Sequence, residues 1–135
     1  MQVPAKDELI SAIFRMQSDA LIAKYFGKDW YKRGDPRPLL PVTYQDVYDW
    51  YEKYGIPQSV LIEGTWGGHE HFVITERGGE WLVGYAERGG ASLASRHRTL
   101  KDAREAVLKE LWSLHEGAGN PSYWKDGVAA GTPYA

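Results

Sequence analysis

His69 and His71 flank Glu70, and Glu76 follows five residues after His71. Alternate residues of an extended strand share a face, so the two imidazoles could grip one divalent ion, with His97 from a neighbouring strand completing a three-histidine set. The competing reading, which we adopt, makes all three polar residues at strand edges facing solvent. Glu63, Glu76, Glu80 and Glu87 lie along the same strands or at their ends. Paired carboxylates do general acid and base work only when one is desolvated beside the other, whereas hairpin charges are ordinarily solvated. No serine stands on the strained strand-to-helix turn that a hydrolase nucleophile needs. The glycines at 64, 67, 68, 78, 79, 89 and 90 open no helix, so none forms a phosphate cradle. The chain is therefore expected to be non-enzymatic and to use no cofactor.

Recognition is the remaining kind of chemistry. Arg96, His97, Arg98, Lys101 and Arg104 cluster where the last strand meets the last helix, a place from which double-stranded RNA modules reach phosphates. Asp102 and Glu105 interrupt the cluster, and it holds one lysine where such modules use an adjacent pair. A double-stranded-RNA-binding module is thus an alternative, with nucleic acid a disfavoured partner. Trp30 and Tyr31 sit in a proline-rich connection and Trp66 in a glycine-rich loop. Each ring either folds back on the core or anchors a partner.

These residues must be positioned by elements that the hydrophobic periods reveal. Leu9, Ile10, Ile13, Phe14, Leu21 and Tyr25 follow helical spacing across residues 6–25. Thr43 with Asp46 caps a second helix, with its stripe at Val47, Trp50, Tyr51 and Tyr54, which Gly55, Ile56 and Pro57 end. Beyond it the period becomes two, over residues 59–63, 69–76, 80–86 and 91–98, with Arg77, Gly78 and Gly79 and then Arg88, Gly89 and Gly90 in tight turns. Thr99 with Asp102 caps the last helix, whose stripe is Leu100, Ala103, Val107, Leu111 and Leu114. The expected class is α+β: two N-terminal helices, a four-stranded antiparallel meander and a C-terminal helix packed on one sheet face. Residues 1–116 form one domain, and residues 117–135, rich in Gly, Ala and Pro, a loosely ordered tail.

Composition agrees with a globular chain of 135 residues, 43% hydrophobic and 25% charged, with a net charge of -2 that supplies no bulk attraction to phosphate. No apolar run approaches the roughly 20 residues of a membrane span, and Lys6, Asp7 and Glu8 stand where a signal peptide would be apolar. Cysteine is absent, which suits a reducing compartment, and the cytoplasm is the expected location. Six Trp and nine Tyr exceed what a core of this size needs, so rings are expected at the surface, as in protein interfaces.

Two family resemblances complete the reading. The spacing of His69, His71 and Glu76 is similar to the first metal motif of the cupin barrels, although the second motif is missing; a small cupin-like metal enzyme is the further alternative. Tyr54, Gly55, Ile56 and Pro57, then Trp81, Leu82, Val83 and Tyr85 running into Glu87, Arg88 and Gly89, then the helix from Thr99 with Ala103 and Ala106, resembles the small bacterial immunity proteins encoded beside polymorphic or contact-dependent toxins. It covers roughly residues 54–112. The resemblance implies an inhibitor that blocks a cognate toxin by tight heterodimer formation. Exposure arguments, separately, select Trp30, Tyr31 and Trp66 as anchors and Glu63, Glu76, Glu87 and Arg88 as charged partners.

Overall fold

The computed structural model describes residues 2–32, 36 and 39–118, with backbone alone at 31 and 118. The expected tail lies outside the described residues from 119 onward. Contacts divide the chain into two compact units, one of residues 1–53 and 111–135 and the other of residues 54–110. No helix among the described residues is long and apolar enough to cross a membrane.

In the first unit the single helix expected over residues 6–25 is two helices, α1 (Lys6–Phe14) and α2 (Ser18–Phe26). The reason is local. Met16 adopts φ 56°, its N–H donates to the Ile13 carbonyl, and the Gln17 N–H donates to the Ala12 carbonyl. This is a Schellman closure with methionine where glycine is usual. Leu9, Ile22, Phe26, Trp30 and Leu40 then form a buried cluster, with Trp30 in a 3-10 turn at Trp30–Lys32. Helix α3 (Tyr44–Tyr54) starts in the expected capping box: the Asp46 N–H donates to Thr43 Oγ1 at 3.2 Å, and the Thr43 N–H donates to Asp46 Oδ2 at 2.9 Å. Those bonds from Thr43, helped by Lys6, hold the Asp46 carboxyl below its usual pKa. Of the expected α3 stripe only Val47 is buried.

The second unit is built on a sheet of β1 (Leu61–Glu63), β2 (His71–Arg77), β3 (Glu80–Glu87) and β4 (Gly90–His97), in that spatial order. The expected antiparallel meander holds for β2, β3 and β4, but β1 runs parallel to β2. The sheet is therefore mixed. Residues 64–70 carry the chain back to the start of β2 instead of turning it, and the parallel pairing is made by the Phe72 N–H to the Val60 carbonyl and the Gly64 N–H to the Ile74 carbonyl. Both tight turns are as expected, Gly78 and Gly79 at φ 59° and 82° and Arg88 and Gly89 at φ 53° and 87°. Two successive positive φ angles give the turn twist that suits a two-residue hairpin. Helix α4 (Leu100–Ala118) opens where the Asp102 N–H donates to Thr99 Oγ1, and it runs through Gly117 rather than stopping there. Leu114 departs from the expected stripe and is 49% exposed.

Candidate interaction surface

The sheet has two faces with different covers. Leu61, Phe72, Ile74 and Val83 share one face and are all buried. Glu63 lies on that side too, beside Ile74, and the Arg104 guanidinium of α4 grips its carboxylate with two bonds of 2.6 and 2.8 Å. Arg104 holds the Glu63 carboxyl below the usual range against the opposing effect of burial. Glu63, itself exposed, is thus already paired with a cation of its own chain.

The opposite face is covered by the 64–70 loop. Its register aligns Ile62, Val73, Gly84 and Leu93 in one row across all four strands, about 14 Å long at the usual strand spacing. Trp66 lies on the middle of that row. A Cβ at position 84 would come within 2.6 Å of the Trp66 Cη2 atom, so glycine is what lets the indole settle onto the strand. The Arg77 guanidinium lies 5.9 Å from the centre of the Trp66 ring, within cation–π range. The loop is stitched in place: the Gly89 N–H donates to the Gly68 carbonyl at 3.0 Å, and the Glu70 N–H donates to the Ala86 carbonyl at 2.7 Å. Side chains at 67 or 68 would collide with the Gly89 carbonyl or the His71 ring.

One indole cannot cover a four-residue row. Val73 is fully buried, but at the two ends Ile62 and Leu93 remain 37% and 47% exposed, with the half-buried Trp66 between them. Arg77 and the ion pair of Arg96 with Glu80, 3.1 Å long, form a charged rim at one end of this face. The exposed Arg88 stands at the other, in the turn bonded to the loop.

The residues expected to bind a partner are therefore scattered. Trp66 belongs to this face and Arg88 to the turn at its end, while Glu76, exposed on β2 opposite Trp81, and Glu87, in step with Trp81 and Tyr85 along β3, lie on the other side of the sheet. Trp30 is corrected: at 7% exposure it packs in the core of the first unit and offers no ring to a partner. The Tyr31 side chain lies outside the described residues. Ile62, Leu93 and Arg77 were not legible as site residues, because only the cross-strand register puts them around Trp66.

The alternatives meet specific obstacles. Glu70 has φ 55° and β2 begins at His71, so His69 and His71 do not alternate along one strand. His71 pairs with Ala86 and His97 with Trp81, which are about 17 Å apart along β3 and point to opposite faces. His97 instead shares a 2.7 Å hydrogen bond with Ser95 Oγ. No three His, Asp or Glu side chains among the described residues are grouped as metal ligands. Within the basic cluster, Arg96 is neutralised by Glu80 and Arg104 by Glu63. Tyr85, whose ring meets Phe72 edge-on at 5.1 Å, has its pKa raised by burial first and then by the negative charges of Glu70 and Glu87.

Compared with known proteins, the chain matches no family model, no curated protein and no solved structure.

Proposed function

We propose that the chain is a non-enzymatic protein-binding module that captures its partner on the loop-covered face of the sheet. The observation that carries this reading is the row of Ile62, Val73, Gly84 and Leu93 with Trp66 laid across it and both aliphatic ends exposed. A fixed aromatic ring flanked by apolar side chains and rimmed by mixed charge has the anatomy of an interface hot spot. The ring is already ordered by Gly84 and by the backbone bonds of its loop, so binding would spend little conformational entropy on it.

Within that class the role of an immunity protein fits best: a cytoplasmic inhibitor that neutralises a cognate toxin by forming a tight heterodimer. A pre-organised surface suits tight association, and the rim of Arg77, Arg96, Glu80 and Arg88 suits fast, oriented encounter.

The test is to isolate the protein with its partner from the native cell, identify that partner, and titrate it with the wild type and with Trp66→Ala. Trp66→Ala should weaken binding by about 30-fold or more, the scale of a hot-spot truncation, and should abolish protection of cells that express the partner. Leu114→Ala, an exposed apolar residue of α4, should leave affinity unchanged. A folded Trp66→Ala protein that binds as tightly as the wild type would remove this surface from consideration.

A further inference from the structure

Strand β4 is the last strand of the sheet, and its outer edge has its own hydrogen-bonding pattern. The turn at Arg88 and Gly89 makes Glu87 and Gly90 the first pair of the ladder, and in a two-residue hairpin that pair exchanges both backbone bonds. Bonding then alternates. Ser92 faces Tyr85 in a bonded pair, while Ala91 and Leu93, opposite Ala86 and Gly84, direct their N–H and C=O groups outward. The backbone hydrogen bonds made outside the ladders include none to Ala91 or Leu93 among the described residues. After Leu93 a bulge shifts the register, so that Val83 faces Ser95 and Ala94 is the extra residue.

Edges of this kind are normally guarded by charge, proline or a cover. Residues 90–95 are Gly, Ala, Ser, Leu, Ala and Ser, with neither charge nor proline, and Ser92, Leu93 and Ala94 are exposed. The pattern of outward groups is also symmetric about Ser92, because one outward-facing residue lies on each side of it.

We propose that β4 pairs antiparallel with β4 of a second copy of this chain, about a two-fold axis through Ser92. Ala91 of each copy then faces Leu93 of the other, and the two pairs exchange four backbone bonds. Ser92 faces Ser92 in the non-bonded pair between them. The exposed Leu93 side chain gains an apolar neighbour in Ala91 of the second copy, so the row through Ile62, Val73, Gly84 and Leu93 continues across the axis. The neutral segment brings no like charges into register, which is what favours a second copy over a charged partner strand. The bulge at Ala94 ends the pairing, and the two-fold closes it on itself, giving a dimer instead of a growing sheet. Five paired residues bury less than the roughly 1,200 Å² of stable complexes. The dimer is therefore reversible and forms at high protein concentration.

The absence of cysteine gives this register a clean assay. Non-bonded cross-strand pairs have Cα atoms about 4.5 Å apart, inside the range a disulfide spans. Ser92→Cys should form a covalent dimer under mild oxidation at least tenfold faster than Ala94→Cys, whose two copies lie about 13 Å apart in this register. Leu93→Lys introduced beside Ser92→Cys should remove that advantage. The cysteine-free protein should sediment as a monomer and dimer in exchange between about 10 µM and 1 mM, and Leu93→Lys should sediment as a monomer. Equal oxidation rates for the two cysteine variants, or a wild type that stays monomeric at 1 mM, would overturn the proposal. A third protein's strand on β4 would give that monomeric result. These measurements use the protein alone, so their failure leaves the binding role of Trp66 standing, and failure of that role leaves the dimer standing.

Discussion

The two faces of the sheet bury comparable central residues by different means. On one, Phe72, Ile74 and Val83 are at most 3% exposed, and Arg104 of α4 is tied to β1 through Glu63. On the other, Val73, Leu82 and Ala86 are at most 7% exposed, yet the row through Val73 is covered at its middle by one indole, with Ile62 and Leu93 left open at its ends. Alternation along a strand therefore tells which residues share a face, but the cover decides what that face is for. On the first face α4 is tied to the sheet by the two bonds from Arg104 to Glu63. A seven-residue loop supplies one ring and leaves a surface.

The sharpest way to break the comparison is to truncate one side chain on each side of the sheet. Ile74→Ala deletes a fully buried side chain and should cost about 3 kcal/mol in denaturant unfolding, with a cavity that the neighbours fill only in part. Trp66→Ala removes a larger side chain that is only half-buried, and should cost about 1 to 2 kcal/mol. An equal or larger loss for Trp66→Ala would mean that the ring is core and the two faces are alike.

A smaller effect sharpens the helix-covered side. The folded-state pKa of Glu63 lies below the ordinary 4.5, so its contribution is complete above about pH 4.5 and is lost as pH falls through the depressed value. The two side chains are 43% and 35% exposed, and solvent screening keeps the contribution to about 1 kcal/mol or less. Glu63→Gln should lower stability at pH 7 by that amount and flatten the decline between pH 5 and about 3, measured as the urea midpoint against pH. An unchanged slope would show that the ion pair contributes nothing to holding α4.

Much of the fold was readable in advance, and the misses have definite causes. Thr43 with Asp46 and Thr99 with Asp102 identified two helix starts, and the glycines at 78, 79 and 89 identified both hairpins. Periodicity could not see the break at Met16, since the apolar stripe continues across it and the left-handed residue there is not glycine. Nor could it orient β1, because a three-residue strand has the same pattern in either direction. Trp66 and Arg88 were selected in advance because their neighbours in sequence are turn residues, and both lie along the loop-covered face or at its end. Ile62 and Leu93 join the surface only through register. Trp30 was misassigned because its proline-rich connection resembles an exposed loop, whereas Leu9, Ile22, Phe26 and Leu40 close around it.

The smallest predicted effect compares the two turns that frame the loop-covered face. Both place two residues at positive φ, but the first position is glycine at 78 and arginine at 88, with φ 59° and 53°. A side chain in that region costs roughly 1 kcal/mol, and a glycine there would relieve it, less the entropy that glycine adds to the unfolded chain. Arg88→Gly should therefore stabilise the protein by about 0.5 kcal/mol, seen as a rise of a few degrees in Tm. If Arg88 belongs to the binding rim, the same substitution should weaken partner binding while it raises Tm, the opposed pair of changes that a residue kept for contact rather than for folding produces. Gly78→Arg makes the converse change at the other turn and should lower Tm with no effect on binding. A protein in which Arg88→Gly lowers Tm would show that the side chain is held by packing, and the two turns would then differ by fold and not by function.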